Sequence, residues 1–269
     1  MKMEGFDHGT RGIGVRDYQL ILPSVVCSTH ISRRIAKDVN AVTFSHQHGC
    51  GIIGADVAGI GDFFASLADH PNVSSVLVVS LGCETIQGQE LAEKLVTKNA
   101  STKYQIIQDS GGVEATVTAG ITAVRSLQES YPTKRRPLND LRVGISASSN
   151  SSIANNLLEA LSALDIYTEL VGGKSPADSF SHLMEKKVHL ILSFPTGDQP
   201  ASGFPLIPVI NIASDSALHQ AISADFDVPA GTPVENIVKL ILEVANGRET
   251  IAEINKSGEI LAPRLVRST

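Results

Sequence analysis

The sequence predicts an α/β protein of two Rossmann-like lobes, with mostly parallel sheets and helices on both faces. Three observations lead there. Short, nearly continuous apolar runs alternate with stretches of helical period. Each run ends in a polar turn marked by glycine or serine. One basic, proline-containing stretch, Tyr131–Asn139 (YPTKRRPLN), interrupts the alternation, which then begins again. That stretch reads as a linker and divides the chain into lobes at residues 1–135 and 136–269.

In order, Met1–Asp17 is polar and rich in glycine and reads as an irregular opening segment. YQLILPSVVCST, residues 18–29, has the near-continuous apolar character of a strand buried on both faces. Ser28 or Thr29 is placed to cap the next helix, whose apolar stripe is Ile31, Ile35 and Ala36. Ala41–Phe44 is the second strand, and Asp56–His70 carries a helical pattern through Val57, Ile60, Phe63, Phe64 and Leu67. Val73–Leu81 is a third strand followed by a helix through Gln89–Thr97. Lys103–Ile107 is a fourth, followed by a helix through Val117–Glu129. After the linker come a strand at Leu141–Ala147, a Ser-rich turn with capping residues and a helix at Ile153–Leu164. Strands at Ile166–Val171, Val188–Phe194 and Pro205–Ile212 and helices at Ala177–Lys187 and Val234–Asn246 complete the pattern. LILPSVVCSTHISRRIAKDV and LRVGISASSNSSIANNLLEAL both run strand, Ser-rich turn, helix, a faint echo between the lobes.

Bulk properties narrow the class. Of 269 residues, 42% are hydrophobic and 19% charged, as in a globular protein with a sizeable core. A net charge of −6 without a long basic run argues against nucleic acid as a partner. Apolar runs such as Ser75–Leu81 are too short to cross a bilayer, and MKMEGFDHGT lacks the apolar core of a signal peptide. Three cysteines in that context lead to an expectation of free thiols and a cytoplasmic location.

The chemistry-bearing residues fall after strands. Ser45, His46, Gln47, His48, Gly49, Cys50 and Gly51 follow the second strand, and carboxyl-end loops are where open α/β sheets bind ligands. Imidazole and thiol bind transition metals, and imidazole moves protons near neutral pH. Cys27, Cys50 and Cys83 each follow a predicted parallel strand, so the three thiols can meet along one sheet edge. Three thiolates suffice for an iron–sulfur cluster with an open iron, and Cys with His for a single iron or manganese. The alternative is three small buried hydrophobes, and no CxxC spacing is present. Glu84 and Asp109 stand at the same predicted edge, either as metal-binding carboxylates or as helix caps. Ser110, Gly111 and Gly112 offer backbone donors at a helix start for a carboxylate or phosphate oxygen. Neither GxGxxG nor GxxxxGK[ST] occurs. Asp225, Phe226 and Asp227 read as a solvated turn.

Taken together, these motifs resemble the altronate and galactarate dehydratases and the related sulfolactate sulfo-lyase large subunit. Over Gly12–Gly120, GIGVRDY resembles the family's GxxGxRN, SVVCS its Ser-Val-Asn-Cys-Ser, and HQHGCG its His-x-x-Gly-Cys-Gly. LGCETIQ resembles its Gly-Cys-Glu-x-x-Gln, and IQDSGG its Gln-Asp-Thr-Gly-Gly. FPTGDQPASGFPLIPVINIASDSAL and DFDVPAG resemble the closing segment. The resemblance implies a lyase that removes water, or in one branch sulfite, from a sugar acid with a divalent metal, iron ahead of manganese and of an iron–sulfur cluster. It implies Cys27, His46, Cys50 and Cys83 as metal ligands and His46, His48 and Glu84 as catalytic groups. Arg16, Gln87, Asp109, Ser110, Gly111, Gly112, Thr196 and Gly197 would then bind substrate.

The chain also departs from the pattern. Ser146, Ala147, Ser148, Ser149 and Asn150 stand where long members carry Cys-Gly-Gly-Ser-Asp, and Ala115, Asn211 and Asp198 replace two lysines and an arginine. Long members also carry an insertion of roughly a hundred residues, about the length of a small domain, and a small N-terminal domain, and by the resemblance this chain is expected to lack both. The sulfo-lyase resemblance implies a separate small subunit in place of that domain, and a homo-oligomer is expected. The reading opposed to a lyase is a non-catalytic small-acid-binding protein that kept the first lobe.

Overall fold

The computed structural model describes residues 3–148, 151–172, 175–196 and 201–263. The expectations placed on Ser149, Asn150, Gly197 and Asp198 lie outside the described residues. The chain divides into two compact units. One comprises residues 8–12, 17–134 and the chain from Ile260; the other comprises residues up to Asp7, Ile13–Arg16 and Arg135–Glu259.

The first unit is built on four parallel strands, β3 (Tyr18–Pro23), β4 (Val42–Thr43), β5 (Val73–Ser80) and β6 (Thr102–Ile106), in the order β4-β3-β5-β6. β3 and β5 occupy the middle, where both faces are covered, which is why they read as unbroken apolar runs. Side chains alternate across the sheet. Ile21, Leu77 and Val79 pack with Ile31, Ile35 and Ala36 of α1 (Thr29–Val39) and Val117 and Val124 of α4 (Val113–Ser130). The apolar residues of α2 (Ala55–Ala68) and α3 (Gly88–Val96), among them the buried Phe63, Phe64 and Leu95, stand in the helices that connect β4 to β5 and β5 to β6. α1 and α4 pack closely because Gly120 has no side chain: a Cβ there would lie 2.4 Å from Ile35 Cδ1. The expected Ser28 cap does not form. Ser28 Oγ donates to the Val25 carbonyl at 2.9 Å, and the helix is entered through a 3-10 turn, Val26–Ser28.

The second unit repeats the arrangement. β8 (Arg142–Ser146), β9 (Tyr167–Val171), β10 (Leu190–Ser193) and β11 (Val209–Asn211) are all parallel, in the order β11-β10-β8-β9. Numbered by appearance, both sheets run second, first, third, fourth. Leu157 and Leu161 of α5 (Ser152–Ser162) and Ile237, Ile241 and Val244 of α8 (Val234–Ala245) share one core with Val143, Ile145, Leu190, Leu192 and Ile210. Gly144 lets Leu183 of α6 (Pro176–Glu185) approach, since a Cβ there would meet both Leu183 methyls at 2.9 Å. The Ser-rich turn does cap its helix: Ser151 accepts from the Ala154 N–H. Two short helices, α7 (Ser216–Ala221) and α9 (Ile251–Ile254), were not foreseen, being under two turns long and without a resolvable period.

Three readings of the sequence need correction. The opening segment is not irregular: β1 (Glu4–Asp7) pairs antiparallel with β2 (Ile13–Gly14). The stretch taken as a linker forms β7 (Lys134–Pro137), the edge strand of a small β2-β1-β7 sheet. An edge position tolerates its prolines. Its charges are used locally, with Arg135 stacked 4.4 Å over the Phe6 ring and Arg136 paired with Asp7 at 3.4 Å. Asp227 is not solvated, because its carboxylate accepts the Asn211 N–H (2.8 Å) and the Ile251 N–H (2.8 Å), tying β11 to α9.

Candidate functional site

The strand order of the first unit reverses between β3 and β5, and the crevice beyond their carboxyl ends is the place where such sheets take ligands. Four loops meet there, each following one strand. Val26 of the β3 loop donates its N–H to the His48 carbonyl of the β4 loop at 2.9 Å. Thr85 of the β5 loop donates both its N–H (3.2 Å) and its Oγ1 (2.8 Å) to the Cys50 carbonyl, and the Gln108 N–H of the β6 loop reaches Leu81 O at 3.1 Å.

Glu84 fastens this crevice. It is almost fully buried and accepts from Ser24 Oγ (2.8 Å), the Leu81 N–H (3.0 Å) and the Gly82 N–H (2.7 Å). One carboxylate thus joins the two loops on either side of the reversal. Three protein donors engage it, which suits it to hold the loops together.

The two histidines are arranged oppositely. His46 is buried beside Phe64, and its Nδ1 accepts the His48 backbone N–H at 3.0 Å. In the neutral ring the proton therefore sits on Nε2, which is buried without a hydrogen-bond partner. Burial, and secondly His48, depress its pKa to about 4, so His46 is neutral at pH 7. His48 is half-buried, and its Nε2 lies 3.1 Å from the Ala262 carbonyl. A carbonyl only accepts, so the proton of neutral His48 resides on Nε2 and Nδ1 keeps its lone pair.

A strap from the far end of the chain covers this loop. The Gln47 amide donates to Ile260 O (3.0 Å) and accepts from the Ala262 N–H (3.2 Å), next to the His48 contact. No local pattern announces it, since 213 residues separate Gln47 from Ile260. Ser24 and Thr85 are residues of this crevice that sequence reasoning missed.

The thiols gather in part. Desolvation, and secondly the neighbouring Cys50, push the Cys83 thiol up. Cys27 is exposed. Among the described residues no group of three or more His, Cys, Asp or Glu side chains is placed to hold a metal ion. Cys27, His46, Cys50 and Cys83, the ligands that the resemblance implies for a divalent ion or cluster, thus do not form such a group in this arrangement.

The expected substrate-binding residues scatter. Gln87 donates to the Glu84 carbonyl and opens α3 as its N-cap. Asp109, Gly111 and Gly112 are exposed at the start of α4, where Gly111 (φ 82°) and Gly112 (φ 101°) take up left-handed backbone that leaves helix-start N–H groups facing outward. Ser110 Oγ donates to Ile106 O and accepts from Gln105, so the hydroxyl is committed. Thr196 is exposed after β10, in the other unit. Arg16 is buried in that unit with every guanidinium donor engaged. Its Nε and Nη2 reach Glu253 (2.6 and 2.9 Å), Nη1 the Val15 and Val244 carbonyls, and Nη2 also Arg248 O. It has no donor left for a ligand and serves as a staple.

Comparison with known proteins gives two family matches. The model described as D-galactarate dehydratase/altronate hydrolase, second domain, matches residues 5–131. The one described as D-galactarate/altronate dehydratase, C-terminal, matches residues 174–267. An altronate dehydratase of Bacillus subtilis (strain 168) is 27% identical over 156 residues, which cover 53% of this chain and 31% of that protein. One from Escherichia coli (strain K12) is 29% identical over 156 residues, again 53% of this chain and 31% of the relative. The matched stretch thus spans about a third of the length of these relatives.

Proposed function

This chain belongs to the D-galactarate/altronate dehydratase family, and from that premise we propose that it is a hydro-lyase acting on a sugar acid at the carboxyl edge of its first sheet. The observation that carries the reading is the His48 imidazole. It stands at the crevice with one nitrogen committed to Ala262 and the other free to take a proton. Dehydration requires loss of the proton next to the carboxylate and departure of hydroxide from the neighbouring carbon. His48 Nδ1 takes the first proton. The imidazolium so formed returns it to the leaving hydroxyl, so that water leaves and the enol product becomes a 2-keto acid.

The other groups orient and hold. His46 positions the base by accepting the His48 backbone N–H. Glu84 keeps the β3 and β5 loops together. The N–H groups at the start of α4, which is 18 residues long, supply dipolar donors for the substrate carboxylate. A second polypeptide supplying a small domain is proposed as a partner.

The test is production of 2-keto acid from D-altronate and D-galactarate by the purified chain and its His48→Ala variant. Turnover that falls at least about 100-fold in the variant, the usual scale of a general base, supports the reading. Saturable binding of sugar acids without turnover would assign the chain as a small-acid-binding protein instead. Turnover unchanged in His48→Ala would remove the base assigned here.

A further inference from the structure

Gln47 is exposed, yet both ends of its carboxamide are taken up by backbone. Its nitrogen donates to the Ser45 carbonyl of its own loop and to Ile260 O at 3.0 Å, and its oxygen accepts the Ala262 N–H at 3.2 Å. Bonds to the carbonyl of one residue and the N–H two positions on are those a strand residue makes with its neighbour in a parallel pair. The strap shows the matching alternation, with Ile260 fully buried, Leu261 exposed and Ala262 buried. Its third polar contact with the loop is the Ala262 carbonyl at His48 Nε2. The loop backbone has other tethers. Thr29 Oγ1 accepts the His46 N–H at 3.3 Å, the Val26 N–H reaches His48 O, and Thr85 holds the Cys50 carbonyl. What the strap adds is a hold on two side chains, Gln47 and His48.

We infer that Gln47 is a positioning residue: it latches the Ile260–Ala262 strap, and the latched strap fixes the orientation and tautomer of the His48 imidazole. With the latch open, the Ala262 carbonyl leaves Nε2, the ring turns about its side-chain torsions, and its proton is shared between Nε2 and Nδ1. Gln47 therefore acts through His48 and touches no reacting atom itself. The catalytic consequence rests on the proposed dehydratase reading, in which Nδ1 takes a proton and so has to be held in one place. The hold on the ring stands on the hydrogen bonds alone.

The test compares the full wild-type chain with Gln47→Ala and Gln47→Glu. The second keeps an acceptor for the Ala262 N–H but sets a carboxylate against the Ile260 and Ser45 carbonyls, so it should not restore the latch. Amide hydrogen exchange at Ala262 should quicken about 10-fold in Gln47→Ala, the scale of one net hydrogen bond, while the His48 and Thr85 amides keep their wild-type rates. In nitrogen-15 spectra of the neutral His48 ring, the wild type should carry its proton on Nε2 alone, and both variants should show a mixture. With D-altronate or D-galactarate, kcat should fall about 10- to 100-fold in Gln47→Ala while KM stays within about twofold. Adding Gln47→Ala to His48→Ala should cause no further loss, because the first change acts through the second residue. An Nδ1–H tautomer in the wild type, a ring signature unchanged in Gln47→Ala, exchange quickened throughout the loop, or a loss of turnover that adds in full to that of His48→Ala would each overturn the inference. A wild-type chain without turnover refutes the dehydratase reading, and the exchange and ring spectra then decide the latch by themselves.

Discussion

Replacing Glu84 tests whether this residue is a clamp or an acid. The carboxylate is 2% exposed and receives donors from Ser24, Leu81 and Gly82. In Glu84→Ala, the Leu81 and Gly82 N–H groups lose their acceptor, and the Ser24 hydroxyl keeps only the longer bond to the Val79 carbonyl at 3.3 Å. A buried donor left unpaired costs about 1–3 kcal/mol, and a hydrogen bond to a charged group contributes about 1.5–3 kcal/mol. The three losses are not additive, because water enters where Glu84 is removed, so the expected destabilisation is about 3–5 kcal/mol. Glu84→Gln is the more telling variant. Its amide oxygen still accepts from Ser24 and Leu81, but its amide nitrogen faces the Gly82 N–H, a donor against a donor, for about 1–3 kcal/mol. Urea unfolding measures the totals, and amide hydrogen exchange at Leu81 and Gly82 shows where the loss occurs, since both should be protected in wild type and unprotected in Glu84→Ala. A residue acting only as a proton donor would leave Glu84→Gln as stable as wild type. Equal urea midpoints together with unchanged exchange at those two amides would refute the clamp.

Arg16→Met leaves Glu253 without its guanidinium in a buried setting and should cost about 3–5 kcal/mol, read as a lower urea midpoint; retained stability with lost substrate binding would instead make Arg16 a ligand residue. Gly120→Ala places a Cβ 2.4 Å from Ile35 Cδ1 and should cost about 1–3 kcal/mol as overpacking. Ile35→Val removes that methyl, so the double variant should recover part of the loss in a thermal-unfolding cycle. Burial depresses the His189 pKa from 6.5 to about 4 in the folded chain. Unfolding therefore takes up a proton between those values, so the contribution of neutral His189 is complete above pH 6.5 and is lost as pH falls toward 4. That difference is worth about 3 kcal/mol. His189→Asn, which keeps an acceptor for the Arg142 N–H and does not titrate, should show a shallower loss of urea stability from pH 7 to pH 4.5.

What the sequence disclosed follows from the range of the interactions involved. The alternation of β3, α1, β5, α4 and β8 is written in residues a few positions apart, through apolar period and turn chemistry, and was legible. So was the gathering of the β4 and β5 loops at one sheet edge, because parallel strands put their carboxyl ends together. Roles set by distant partners were not legible. Arg16 resembles a ligand residue in its motif, yet its fate is decided by Glu253, 237 positions away. The bonds that Glu84 accepts from Ser24 and from the Leu81 and Gly82 N–H groups could not be read from its motif. Asp227 looks solvated until Asn211 and Ile251 meet it. Basic residues in a proline-flanked stretch look like a linker because the partners that make β7 an edge strand, Phe6 and Asp7, lie at the other end of the sequence.

The repeated strand order sharpens the contrast between the two units. Both sheets place a first and a third strand side by side, and both therefore have a crevice beyond the ends of that pair. In the first unit the loops there carry Ser24, His46, His48, Cys50, Cys83 and Glu84, and bonds from Ser24 to Glu84 and from Thr85 to the Cys50 carbonyl run from loop to loop. In the second unit the corresponding in-register strand ends are Ser146 on β8, Ser193 on β10 and Asn211 on β11, with no imidazole, thiol or carboxylate in that row. Asn211 turns its amide nitrogen to Ser202 O at 3.0 Å and keeps a buried oxygen unpaired. Hydroxyl and amide groups bind and orient oxygen-rich ligands, but their pKa values lie too far from neutrality to exchange protons at pH 7. Among the described residues, the same frame thus presents two different edges, and the proton chemistry proposed for this chain is placed on the edge that carries His48.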